Sequence, residues 1–281
     1  MKNILVPTDF SLCSTYAVEL GLALAEAQNA QLHLFTCSDD PQQVGLQNIQ
    51  SIDECAFTNN VKSLFDNWVK EAEVRGVTVK TFCTRGKLVE SIQQYISENP
   101  IDLIVIGSHG ESGNSNLFMG SNTQRVVRAI HIPVMIVKQR INEYAFKNIV
   151  YASDFKPEEL EPFIKFLDFI KVFKPDVIHL LSINTAGWTK PPYSKMPNRM
   201  KAFQPLVKNS NCKIHLYPDI SLEAGIRHFA LAVDADLVVV SNHFRDPIHR
   251  MLHGSNVEGL VNHCELPLLT IDYPENNIIG L

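Results

Sequence analysis

Short apolar runs recur along this chain, separated by longer segments in which apolar residues return every three or four positions. Runs rich in β-branched residues and closed by turn formers read as strands buried on both faces of a parallel sheet. In the first half they predict strands at about 3–7, 31–37, 77–82, 102–107 and 134–138. The segments between them predict helices. Residues 14–27 set Ala17, Leu20, Gly21, Leu24 and Ala27 on one stripe, and residues 61–72 do the same with Val61, Leu64, Phe65, Trp68, Val69 and Ala72. Leu88, Ile92 and Ile96 mark a third helix over 88–96, and a fourth, over 121–130, opens on Ser121, a residue type that caps helices. Strand alternating with helix through right-handed crossovers predicts an α/β fold: a doubly wound, five-stranded parallel sheet with helices on both faces.

The pattern occurs twice. KNILVPTDF at 2–10 returns as KNIVYASDF at 147–155, AQLHLFTC at 30–37 as PDVIHLLSI at 175–183, IDLIVIG at 101–107 as ADLVVVS at 235–241, and IPVMIV at 132–137 as LPLLTI at 266–271. The order is preserved, and a period near 140 residues is that of a whole domain rather than a solenoid unit. The sequence therefore predicts tandem domains at 1–140 and 141–281, joined through the short polar stretch 139–146 and packed side by side. Helices are expected at 158–172 and 222–232 in the second half. The polar segment 38–60 reads as a loop or short helix. Its Pro-rich counterpart 184–198 reads as irregular, and Pro205 interrupts the segment after it.

The halves differ where chemistry is expected. In an open parallel sheet, ligands bind beyond the carboxyl ends of the strands where strand order reverses. The first strand ends in Pro7-Thr8-Asp9, and the fourth in Gly107-Ser108-His109-Gly110. A nine-residue loop then returns to Gly120-Ser121-Asn122-Thr123 at the start of a helix. A helix N-terminus presents unpaired N–H groups and a positive dipole end to a phosphate, and glycines admit a close approach. Ser121 and Thr123 add hydroxyls, and Asp9 is placed to accept from a ribose hydroxyl or to ligate a phosphate-bound Mg²⁺. His109, inside the loop, is open to either a phosphate contact or a role as a base. In the second half Asp154 and Gly254-Ser255 persist, but Ser241 and Phe244 replace two glycines. This crevice is expected to hold no ATP, or a different ligand.

The spacing Gly107-x₂-Gly110-x₉-Gly120-Ser121, with PTDFS at the end of the first strand, resembles the nucleotide-binding branch of the universal stress protein family. The likeness extends along nearly the whole chain, as in tandem members. It implies a Rossmann-like fold of the adenine nucleotide alpha hydrolase-like type. It further implies an adenine nucleotide, ATP above all, with Mg²⁺. By that resemblance Pro7, Thr8 and Asp9 face the nucleoside and the backbone near Cys37 meets adenine. His109, the glycine loop and Ser121 to Thr123 surround the phosphates. A sensor or regulator in stress response is implied, with the two domains paired within the chain; a homodimer and an unidentified protein partner are further expectations.

Composition narrows the alternatives. Of 281 residues 45% are hydrophobic and 20% charged, with a net charge of −5 that argues against a general nucleic-acid binder. The N-terminal MKNILVPTDF lacks the apolar core of a signal peptide, and no run has membrane-spanning length, so a cytoplasmic protein without membrane partners is expected. Six scattered cysteines without a CxxC read as free thiols. His249 and His253, with His243, His263 and Cys264, resemble a zinc set only in residue type. Arg245 and Arg250 read as a solvated face. There is no Walker A motif and no G-x-S-x-G elbow, and 107–124 contains no Lys or Arg to neutralise a transferring phosphoryl group. Slow Mg²⁺-dependent hydrolysis through Asp9 and a ligand-free interaction scaffold stand as alternatives to a binding module.

Overall fold

The computed structural model describes residues 1–38, 54–108, 121–141, 144–185, 196–244, 260 and 264–274. The chain divides into two compact units, Met1–Tyr144 and Ala145–Leu281. In the first, strands β1 (Asn3–Pro7), β2 (Gln31–Cys37), β3 (Val79–Thr84), β4 (Leu103–Gly107) and β5 (Val134–Val137) alternate with helices α1 (Leu12–Gln28), α2 (Glu54–Val74), α3 (Leu88–Glu98) and α4 (Ser121–Ala129). Every strand pair is parallel, in the order β3-β2-β1-β4-β5. The second unit carries β6 (Asn148–Ala152), α5 (Leu160–Ile170), β7 (Val177–Thr185), α6 (Met196–Phe203), β8 (Asn211–Asp219), α7 (Leu222–Ala232), β9 (Leu237–Phe244) and β10 (Leu268–Pro274). Its sheet runs β8-β7-β6-β9-β10, again all parallel. The α/β class expected from the alternation is the observed one.

Ile4, Leu5, Val6, Ile104 and Val105 are completely buried, because helices cover both faces and leave no polar side to the central strands. α1 comes close enough to the sheet that a Cβ on Gly21 would lie 2.7 Å from the Val6 side chain. At the matching positions of the second unit, Tyr151 and Phe166 fill that space with rings 4.9 Å apart. Two polar fixtures repeat. The Asp102 carboxylate accepts the amides of Lys2 (2.6 Å) and Asn3 (2.9 Å), and Asp236 accepts those of Lys147 (2.9 Å) and Asn148 (2.7 Å).

Several boundaries move from their sequence positions. α2 is already helical at Glu54, within the stretch read as a loop or short helix, and runs unbroken into the helix expected from 61, while residues 39–53 lie outside the described set. β3 starts two residues late because Val77 belongs to the turn: its amide returns to Ala72 O (2.9 Å) and its side chain is buried there. Ala27, expected on the buried stripe of α1, is exposed, and Val18, Leu22 and Ala25 are buried. The single helix expected over 158–172 is α5 flanked by 3₁₀ turns at Pro157–Glu159 and Lys171–Phe173. Pro205 lies in a 3₁₀ turn (Gln204–Leu206) that ends α6, since proline lacks the amide that would continue the helix.

Candidate functional site

The reversal of strand order in the first unit falls between β1 and β4. Their carboxyl ends bound a cleft of about 200 Å³. Pro7, Thr8 and Asp9 enter it from β1, Cys37 from the end of β2, Gly107 from β4, and Asn122 and Thr123 from the first turn of α4. Every residue nominated from sequence whose side chain is described thus lines one cavity. His109, Gly110 and Gly120 lie outside the described residues, and of Ser121 only the helical backbone is described.

The turn leaving β1 fixes Asp9. Phe10 takes a left-handed backbone (φ 62°), its amide donates to Thr8 Oγ1 (3.0 Å), and the amide of Ser11 donates to Asp9 Oδ1 (3.0 Å). The neighbouring protein raises the cost of charging Asp9. Hydrogen bonds from the Ser11 side chain and amide outweigh that and hold its carboxyl below the usual aspartate range. Asp9 therefore meets a ligand as an anion that can only accept. Ser14, one turn into α1, accepts from the Thr8 hydroxyl (3.0 Å) and donates to Ser11 O (2.9 Å).

Two residues carry structural duties that their sequence context conceals. A Cβ on Gly107 would sit 2.3 Å from Cys13 O and 2.7 Å from Ser14 N, so this glycine admits the backbone of α1 against β4. Thr123 is buried, and its hydroxyl donates to Gly107 O (3.1 Å), tying α4 to the strand end. Its proton is spent there, so the Thr123 hydroxyl is not free to donate to a ligand. Ser11, Ser14, Leu88 and Ile106 also line the cleft without having been singled out. The two serines were legible as a cap and its partner one turn on. Leu88 and Ile106 look like ordinary core residues in a sequence.

Asp9 is the one carboxylate among the described lining residues, and the described residues hold no group of three His, Cys, Asp or Glu placed to bind a metal. Of the zinc-like set, Cys264 is buried with its thiol directed to Leu266 O (3.9 Å). The side chain of His243, and His249, His253 and His263 entirely, lie outside the described residues, as do Arg245 and Arg250.

The matching corner of the second unit is built differently. The repeat that aligns Thr8 with Ser153 aligns Ser14 with Glu159. Ser153 Oγ accepts the amide of Phe155 (2.8 Å), as Thr8 accepts that of Phe10, but its hydroxyl donates to the Glu159 carboxylate. Glu159 is buried and also accepts the Lys156 amide (3.3 Å). Burial, then the adjacent Glu159 charge, push the Tyr151 phenol well above its ordinary range. An internal carboxylate thus stands where the first unit has a small hydroxyl.

Residues 1–138 match the Universal stress protein family, and this part of the chain is a universal stress protein domain. Among curated relatives, Universal stress protein MJ0531 of Methanocaldococcus jannaschii is 29% identical over 141 residues, which cover 49% of this chain and 82% of that protein. Universal stress protein YxiE of Bacillus subtilis is 28% identical over 148 residues, 49% of this chain and 99% of its own. A crystal structure of a universal stress protein from Archaeoglobus fulgidus superposes with a TM-score of 0.75 at 17% identity, covering 96% of this chain and 98% of that one, a likeness of fold. No helix among the described residues is long and apolar enough to cross a membrane.

Proposed function

We propose that the first unit binds an adenine nucleotide in the β1–β4 cleft and that the protein acts as a nucleotide-dependent sensor in stress response. The second unit is a duplicated universal stress protein domain that takes no ATP. One observation carries this reading: Pro7, Thr8, Asp9, Cys37, Gly107, Asn122 and Thr123, drawn from four separate stretches of sequence, line one cleft at the strand-order reversal. The family of the first domain and its complete G-x₂-G-x₉-G-S spacing add support. Asp9 accepts from the ribose hydroxyls, the backbone near Cys37 faces the base, and the amides of the Gly107–Gly120 loop and of Ser121 to Thr123 hold the phosphates. Mg²⁺, where the nucleotide brings it, has Asp9 as the carboxylate among the described lining residues. The absence of Lys and Arg from 107–124 supports a binding role over rapid phosphoryl transfer.

A thermal-shift titration with ATP and Mg²⁺ tests the reading. Ligand at 100 times its dissociation constant adds about 2.7 kcal/mol to the domain that binds it. Gly110→Phe and Gly120→Val, which place side chains where amides must meet phosphate, abolish the shift, whereas Gly254→Val preserves it. A shift that survives both loop substitutions removes the nucleotide from this cleft.

A further inference from the structure

The second unit holds a groove of about 490 Å³ at the amino end of β7, the opposite end of its strands from Asp154. That volume is within the range of small-molecule sites, roughly 300–1,000 Å³. Ile170 and Ile178, both buried, form part of its floor, and Leu206 and Val207 one wall. Lys171, Lys174 and Lys208 stand around it.

The duplication shows what changed here. Asn29 (φ 50°) and Lys174 (φ 48°) are the matching left-handed residues that end the first helical segment of each unit, so Glu26 corresponds to Lys171, three residues earlier in each case. The registers Leu32–Val79 and Ile178–Cys212 are equivalent, and four residues before each partner lie Arg75 and Lys208. In the first unit Arg75 bridges Glu26 (3.5 Å) and Glu71 (2.6 Å) and closes the joint. In the second unit both members of the Arg75–Glu26 pair have become lysine, and a third lysine has replaced Asn29. Asp168, 3.0 Å from Lys171, is the acidic residue in the lining, and Lys174 and Lys208 form no ion pair among the described residues. The helix covering this side is also shorter, α6 having eight residues where α2 has 21. Like charges gathered around the groove repel one another until an anion sits among them, and the half-buried wall of Leu206 and Val207 calls for an apolar tail on that anion.

We propose that this groove binds a free long-chain carboxylate, its head among Lys171, Lys174 and Lys208 and its chain along Leu206 and Val207. The site is independent of the nucleotide cleft.

Hexadecanoate, titrated below its aggregation concentration against the full chain loaded with 1-anilinonaphthalene-8-sulfonate, tests the proposal, with native mass spectrometry giving stoichiometry. The expected result is saturable displacement with one hexadecanoate per chain and at least tenfold weaker binding of the neutral hexadecanol. Lys171→Glu restores an acid at the Glu26 position and weakens hexadecanoate binding tenfold or more with an unchanged urea midpoint. Should that variant fold poorly, Lys208→Gln gives the same weakening. No saturable binding, equal affinity for the alcohol, binding undiminished in the folded lysine variants, or association with phospholipid vesicles but not with the free acid would each overturn the proposal.

Discussion

Each unit buries one histidine of its second strand, and each solves the problem of the imidazole in its own way. Asn3 Nδ2 donates to Pro100 O (2.8 Å), which turns Asn3 Oδ1 toward His33 Nε2 (3.2 Å) and leaves His33 Nδ1 to accept from the Tyr95 hydroxyl (2.7 Å). His179 meets Asn148 Oδ1 likewise (2.9 Å), but its other nitrogen faces His215 Nε2 (3.0 Å). The strand registers place Phe82 and His215 at equivalent positions, so donor and aromatic ring have exchanged places between strand and helix: Phe82 with Tyr95 in one unit, His215 with Phe229 in the other. Tyr95→Phe strands a buried acceptor and costs about 1–3 kcal/mol in urea unfolding, and adding Phe82→His recovers part of it. Burial, then Lys80, lowers His33 to about 4; burial, then His215 and Lys213, lowers His179 to about 4. The folded state therefore refuses protons that the unfolded chain accepts below about 6.5. Stability is full above neutrality and falls as pH drops from 6.5 toward 4. Unfolding midpoints that stay flat across that window would contradict this. The repeated LHLF/IHLL pairing was visible in the sequence, but the exchange was not, because it depends on which residues of separate elements face each other.

Among the elements, α1 and β4 depend on each other through Gly107. Gly107→Ala forces a methyl into the backbone of Cys13 and costs about 1–3 kcal/mol in denaturant unfolding, whether or not nucleotide is present. A variant as stable as the parent would contradict this packing. The strand runs, the helix alternation and the carboxyl-end positions of Asp9 and Gly107 were legible, since burial on both faces imposes unbroken apolar strands. The role of Gly107 in helix packing was not, because a glycine before a loop reads equally as a turn. The start of α2 was not legible either: residues 54–60 carry no strong apolar stripe ahead of Phe65. At Glu159 the alignment was in view, but its meaning required seeing that the carboxylate turns inward to Ser153.

Over the whole molecule, the two units share one strand order and differ at their carboxyl-end corners. Asp102 and Asp236, Phe10 and Phe155, and the Asn–His pairs preserve the scaffold in both units. The first corner remains open around Asp9, with Ser14 beside it, and the second is occupied by the Ser153–Glu159 contact. Stoichiometry therefore decides whether one corner or both hold nucleotide. Purified protein is saturated with ATP and Mg²⁺, freed of unbound ligand, denatured, and the released adenine nucleotide quantified by mass spectrometry against protein. We predict one nucleotide per chain, lost in Gly110→Phe and retained in Gly254→Val. Two per chain, or one per chain that persists in Gly110→Phe, would contradict a single site in the first unit.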